Sequence, residues 1–331
     1  MKKTILSCLV LVVFLFFAAS PALARTTWNA NSVWPPGNHQ TQALEEFAAM
    51  VKETTGGELN IIVSSGGALG FKGPELLGVV RDNLVPVSDM LISGVAGDED
   101  IFGVVTMPFL CRNFEEARLL NDIARPYFDQ VAEKWNQKIL YISPWPGAGL
   151  WTTKKIQSVE DMRGLKTRTY DKNGALVVEA TGGTPYALPF AEVYSALATR
   201  MIDSVITSTP TAVDANFWEV LNYYQPLNIT IATNMVNVNL RAFNRLDEDT
   251  QKALVEAGRK MEAAMWEKVA ELDREKEAIS NKNGIETIPV SDELMDALTE
   301  ITADIRREYL EDAPPEALEI VNEFLRQVGR Q

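Results

Sequence analysis

One histidine, His39, and two cysteines, Cys8 and Cys111, carry the only imidazole and thiol groups in the chain. Zinc sites built from His and Cys need three or four such ligands, so that chemistry is essentially excluded. A Ser-His-Asp triad would have to use His39, which stands at an expected helix start with no nucleophile elbow anywhere in the sequence. The expectation for His39 is a solvated polar residue beside an N-cap. Gly66-Gly67-Ala68-Leu69-Gly70 follows an expected strand, as a phosphate-cradling loop does, but lacks both the Lys-Ser/Thr of a P-loop and G-x-G-x-x-G spacing. It reads as a turn that needs small residues. Carboxylates are plentiful, yet nothing singles out an acid/base pair. These residue types point away from catalysis, and no metal or cofactor is expected.

The chain holds 45 acidic and 31 basic residues, a formal charge of −14. It opens with Lys2 and Lys3, an apolar run from Ile5 to Ala19, and Ala22-Leu23-Ala24. A basic start, a short apolar core and an A-x-A site make a secretory signal peptide (1–24), with cleavage expected after Ala24 and a periplasmic product. About 15 apolar residues fall short of the ~20 that a spanning helix needs. Cys8 lies too early in the run for lipid attachment. Cleavage removes two lysines, taking the charge from −14 to −16. Such a surface disfavours nucleic acid and anionic membrane as partners. Only Cys111 remains after cleavage, so no intramolecular disulfide can form. No later stretch approaches spanning length, so a soluble product, not embedded in the membrane, is expected. Its size exceeds that of a usual single core, which makes two lobes the default.

Strand and helix signals alternate along the mature chain. A strand over 26–31 and a Trp34-Pro35-Pro36-Gly37 loop precede a helix from Asn38 on which Leu44, Phe47, Ala48 and Val51 share a face. Strands are expected at 59–63, 85–92 and 139–143, with helices at 73–82 and 113–138. A second cycle runs from a capping box at Ser158-Val159-Glu160-Asp161 through a strand at 165–170, helices from Asn173 and Phe190, and a strand at 203–207. The extended passage 227–240 could cross between lobes. A long amphipathic helix is expected over 246–281, with a coiled coil as the rival interpretation, then helices at 292–310 and 315–328. This is an α/β pattern with largely parallel strands.

Asp161-Met162-Arg163-Gly164-Leu165-Lys166-Thr167-Arg168 resembles the D-l-k-G-l-K-i-R signature of solute-binding subunits of TRAP (tripartite ATP-independent periplasmic) transporters, the DctP-type family. The block from Gly183 through Pro185, Pro189-Phe190, Glu192-Val193-Tyr194 to Leu197 is similar to that family's G-x-x-P-x-x-x-p-f-x-E-v-Y-x-A-L. Met201-Ile202-Asp203 stands where its v-V-D-G lies. Gly56-Gly57-Glu58-Leu59, Gly70 and Met107-Pro108-Phe109-Leu110 add shorter matches, so the resemblance spans essentially the whole mature chain. It implies a two-lobed clamp with a mixed sheet in each lobe, joined by crossing strands and a long helix. The expected division is 25–145 plus 232–272 for lobe I and 146–231 plus 273–331 for lobe II.

The resemblance also implies a small organic acid ligand, membrane subunits of a TRAP transporter as partners, and no enzymatic activity. The family's carboxylate-binding arginine maps onto Arg168 through the K-x-R match, and a planar guanidinium suits a carboxylate. Phe190 and Thr207 match pocket-lining positions; Glu192 and Tyr194 are expected to hold the helix and lobe interface. Gly147-Ala148-Gly149 falls where sialic-acid-binding members carry a second arginine, Thr207 replaces their pocket asparagine, and Ser204 replaces a glycine, so sialic acid is disfavoured. Trp28, Trp34, Trp145, Trp151 and Phe71 lie in or beside loops expected to face the cleft, which suggests a flat or apolar ligand body. The expected ligand is a monocarboxylate with an aromatic or bulky apolar group. A sugar acid is the alternative, because tryptophan also stacks on sugar faces. An extracytoplasmic sensing module using the same clamp is the second functional possibility and a periplasmic hydrolase the third.

Overall fold

β-Branched and aromatic runs separated by amphipathic helices build two mixed sheets. The computed structural model describes residues 25–330, so the expected signal peptide lies outside the described residues. The strands are β1 (Thr26–Asn31), β2 (Leu59–Ser64), β3 (Val87–Leu91), β4 (Gln137–Pro144), β5 (Gly149–Thr152), β6 (Lys166–Thr169), β7 (Thr184–Ala187), β8 (Ser204–Thr207), β9 (Tyr223–Gln225), β10 (Thr233–Asn239) and β11 (Glu286–Thr287). The helices are α1 (His39–Thr54), α2 (Leu76–Arg81), α3 (Phe114–Lys134), α4 (Lys172–Ala180), α5 (Phe190–Ala198), α6 (Thr209–Asp214), α7 (Leu240–Asn244), α8 (Glu248–Lys282), α9 (Asp292–Ile301), α10 (Ala303–Asp312) and α11 (Pro315–Gln327).

The first sheet has the order β2-β1-β3-β10-β4, with β1 parallel to both neighbours and β10 antiparallel to β3 and β4. The second runs β11-β9-β5-β8-β6-β7, with β6 parallel to β7 and β8 and β5 antiparallel to β8 and β9. Leu44, Phe47, Ala48 and Val51 of α1 pack with Leu254, Ala257 and Met261 of α8 in one core of the first lobe. On the other side, Leu120, Ala124 and Phe128 of α3 share a core with Ile320, Val321 and Phe324 of α11. The C-terminal helix therefore belongs by packing to the first lobe, whereas the expected division placed all of 273–331 in the second. An amphipathic helix carries no address on its face, and the apolar side of α3 was the surface free to receive it.

Two crossing segments join the sheets and hydrogen-bond to each other. Trp145 N–H donates to Ala232 O (2.9 Å), Ala148 N–H to Thr230 O (2.8 Å), and Ile229 N–H to Ala148 O (2.9 Å). The third connection is α8, whose first half packs on the first lobe while Asp273 near its other end accepts from Thr209 of α6 (2.7 Å). The apolar face of the helix is filled from within the chain, which accounts for the periodicity that also suggested a coiled coil. The region expected as one helix over 292–310 is two, breaking at the buried Thr302, whose Oγ1 donates back to Leu298 O (2.8 Å).

Candidate ligand-binding site

The motif residues around Arg168 are largely devices for placing it. Asp161 accepts from the backbone of Gln157 (2.9 Å) and Ser158 (3.0 Å), closing a capping box at a 3-10 turn. These bonds hold its pKa below the usual carboxylate value. Gly164 then turns the chain at φ 73°, a conformation that a Cβ disfavours. Lys166 N–H donates to Asp203 Oδ1 (2.8 Å), so the Met-Ile-Asp segment clamps the start of β6. Alternation along the strand puts Arg168 and Tyr170 on one face. Arg168 Nε donates to Leu188 O (3.0 Å), so the second motif block orients the guanidinium supplied by the first.

That bond is the only hydrogen bond of the Arg168 side chain among the described residues, and it makes no salt bridge among them. The side chain is buried, at 5% exposure. Burial pushes its pKa down to about 10, with the nearby Tyr170 and Asp171 pulling the other way. It remains a cation at neutral pH. The guanidinium carbon lies 6.0 Å from the Tyr170 ring centre. Tyr170 is itself tied across to the crossing segment by a 2.5 Å hydrogen bond between its hydroxyl and that of Thr230.

Arg168 opens into a narrow pocket between the sheets, with a free cavity volume of only about 30 Å³. The structure brings Trp34, Trp145, Ala148, Phe190 and Thr207 to the same pocket. Trp34 meets Trp145 edge to face, with ring centres 4.7 Å apart, and reaches across the lobes to Phe190 at 6.0 Å. Leu91, Pro146, Tyr170, Ser208, Thr211 and Ala232 also line it. Those were not singled out from the sequence. Tyr170 could have been, by its i+2 spacing from Arg168; the others are small or common residues with no such signal.

Phe71 and Trp151 do not line the pocket. Phe71 packs on the first-lobe core, and Trp151 is fully buried in the second, stacked on Tyr224 with ring centres 4.0 Å apart. A strand residue adjoining a loop turns to one face or the other, and here the indole turned inward. Trp151 still supports the site from behind, donating Nε1–H to Thr207 O (3.0 Å). Trp28 lies in the first-lobe core. His39 is not solvated either: it is buried beneath β4, its ring edge on Trp145 at 4.6 Å, and burial lowers its pKa to about 3. The N-cap beside it is Asn38, as the helix start implied, but the crossing strand covers the first turn.

Interlobe bonds surround the pocket. Asn173 Nδ2 donates to Gly103 O (3.0 Å) and Thr106 Oγ1 (3.2 Å), and Asn38 Nδ2 donates to Asp214 Oδ2 (2.6 Å). Lys72 and Glu192 form an exposed ion pair at 3.6 Å. Tyr194 reaches Glu219 instead, within its own lobe.

This geometry has relatives. The model of bacterial extracellular solute-binding protein family 7, DctP, matches residues 30–312. The Bordetella pertussis receptor DctP7, whose crystal structure was solved binding pyroglutamic acid, superposes with a TM-score of 0.88 at 29% identity, covering 90% of this chain and 99% of that one. A marine-metagenome TRAP solute-binding protein specific for pyroglutamate gives 0.87 at 28% identity, covering 91% and 99%. The 2,3-diketo-L-gulonate-binding periplasmic protein YiaO of Escherichia coli is 28% identical over 280 residues, 82% of this chain and 79% of that one. Two mixed sheets hinged by crossing strands, a buried arginine between them with no salt bridge among the described residues, and a family match over most of the chain agree: this protein belongs to family 7 of the bacterial extracellular solute-binding proteins, the DctP-type solute-binding subunits of TRAP transporters.

Proposed function

We propose that this protein is a periplasmic receptor that closes on a compact monocarboxylate of the pyroglutamate class and delivers it to TRAP membrane subunits. The observation that carries this reading is Arg168, a buried cation with no salt-bridge partner among the described residues. Burying an unpaired charge costs several kcal/mol, and a ligand carboxylate placed against the guanidinium recovers much of that cost through paired hydrogen bonds. Among the described residues Arg168 is the one cation that lines the pocket, which suits one carboxylate. The remaining walls are mainly apolar and aromatic, with Thr207, Ser208, Thr211 and Tyr170 as the polar side chains. A sugar acid would bring several hydroxyls against those walls, and each one left unpaired costs about 1–3 kcal/mol. Two pyroglutamate-binding relatives at 28–29% identity support the same class. Sugar acids remain the second reading because of the diketogulonate-binding relative.

Thermal unfolding of mature protein with L-pyroglutamate, aromatic monocarboxylates and hexuronates tests the choice. A ligand at a hundred times its Kd adds ~2.7 kcal/mol and raises Tm. Pyroglutamate is expected to give the largest rise; a response confined to hexuronates rejects the class. Arg168→Ala is expected to abolish the rise while leaving the ligand-free Tm equal or higher, since it removes an uncompensated charge. Retained binding by that variant rejects the anchor.

A further inference from the structure

Trp34 and Trp145 form one wall of the pocket, and both point their indole N–H groups at a single buried polar array. Trp145 Nε1 donates to Asn234 Oδ1 (2.7 Å), and Asn234 Nδ2 donates to Asp89 Oδ1 (2.7 Å). An indole N–H can only donate, which fixes the orientation of the Asn234 amide and leaves its NH2 facing Asp89. Asp89 is fully buried on β3. The Trp34 indole is near enough to hold the Asp89 pKa down, yet stops short of full hydrogen-bond geometry, so Trp34 Nε1 and Asp89 Oδ2 are both buried without a partner. The Trp34 backbone is fixed independently, its carbonyl accepting from Gly66 N (2.7 Å) and Thr41 Oγ1 (3.1 Å). What is left to settle is the indole orientation.

We propose that Asp89 is a positioning residue for the ligand: its ionised carboxylate gathers the N–H groups of Trp34, directly, and Trp145, through Asn234, and so sets the aromatic wall in its binding orientation. The proposal rests on the pocket reading above but concerns a residue that does not line the pocket. The chain of donors that runs from Trp145 through Asn234 ends on Asp89 Oδ1, and its Oδ2 is left for Trp34. A proton on Oδ2 would meet the Trp34 N–H donor to donor and release that ring.

The carboxyl is poised for this, because burial raises its pKa to about 7 against the pull of the Asn234 hydrogen bond and the nearby Trp34 indole. The titratable neighbours are few. Tyr141 faces it from β4, its pKa raised by burial and by the charges of Asp89 and Glu46 of α1. His39 of α1 stays neutral above about pH 3, and from α8 Lys276 acts on His39. Arg168 does not titrate near neutrality.

The test follows the indole N–H resonances of ligand-free mature protein by NMR from pH 5.5 to 8.5, with Trp34→Phe and Trp145→Phe used to assign peaks. The two indoles are expected to shift together about a midpoint close to 7, and to lose that transition in Asp89→Asn, an isosteric change whose amide cannot accept from both donors. In parallel, L-pyroglutamate affinity of the wild type is expected to fall roughly tenfold between pH 8 and pH 6, a loss typical of a hydrogen bond to a charged group, with a flatter profile in Trp34→Phe. Indoles that fail to titrate in the wild type overturn the proposal, as does a transition that persists in Asp89→Asn. Should that variant not fold, the wild-type and Trp34→Phe profiles decide alone. Absence of pyroglutamate binding at every pH rejects the ligand class, while the indole titration still judges the array.

Discussion

Two buried titratable residues under the aromatic wall pull the fold's pH dependence in opposite directions. His39 has its pKa lowered from 6.5 to about 3, chiefly by burial. The unfolded chain binds that proton below about 6.5 and the folded one only near 3, so stability from this residue is complete above 6.5 and is lost as pH falls. Asp89 is the reverse: raised from 3.8 to about 7, it favours the fold most at low pH and loses that contribution as pH climbs through 7. Between about pH 4 and 6.5 each has a slope of up to ~1.4 kcal/mol per pH unit, opposite in sign, so the pair largely cancels. His39→Gln should therefore make stability decline with rising pH in this window, and Asp89→Asn should make it rise. Urea unfolding at intervals from pH 4 to 7 reads both slopes; parallel curves for the two variants would show that the burial of one side chain is not what sets its titration. Asp89→Asn is then also expected to be more stable than wild type at pH 8, a stability that the binding site gives up for a fixed indole. None of this was visible in the sequence. Arg168, Phe190 and Thr207 could be singled out because motif spacing marks them, but a lone His or Asp looks alike on a surface and under a strand.

The long helix shows what an element's pattern reveals and what it hides. Ala, Glu and Lys content with periodic apolar positions is a local property, and the helix expected over 246–281 is α8 at Glu248–Lys282. The same holds for the β-branched runs that became β2 and β10. Short strands such as β9, only Tyr223–Gln225, have no local signal and exist because neighbouring strands supply partners. Destination is equally hidden, as α11 demonstrates by packing on α3. Gly258 is a case where packing inverts the local rule. Within a helix, Gly→Ala ordinarily gains up to ~1 kcal/mol. Here α8 crosses β4 so closely that a Cβ at 258 would collide with the Leu140 carbonyl. Gly258→Ala is expected to destabilise the protein by about 1–3 kcal/mol, the usual cost of overpacking a core. Chemical denaturation checks it, and a neutral or stabilising result would mean that the helix can move off the strand at little cost.

At the scale of the whole molecule, the lobes are joined by contacts of very different worth, which ligand release from the proposed site would have to break. Asn173 is buried, and its two interlobe hydrogen bonds reach Gly103 O and Thr106 Oγ1 on the first lobe. Removing it takes two buried hydrogen bonds out of the interface, with Gly103 O keeping only the longer one from Thr106 Oγ1 (3.4 Å), a loss of about 1–3 kcal/mol felt in the closed state. The Lys72–Glu192 pair also crosses the lobes, but its side chains are 67% and 51% exposed, where ion pairs contribute little. With the ligand bound between the lobes, as proposed, any loss confined to the closed form would appear as faster release with little change in capture. Asn173→Ala should then raise the release rate roughly tenfold, and Lys72→Ala should leave it nearly unchanged. Stopped-flow tryptophan fluorescence with L-pyroglutamate separates the two rates. Equal effects from both variants would mean that closure is governed by overall surface charge, and no effect from Asn173→Ala would mean that Arg168 and the aromatic wall alone hold the clamp on its ligand.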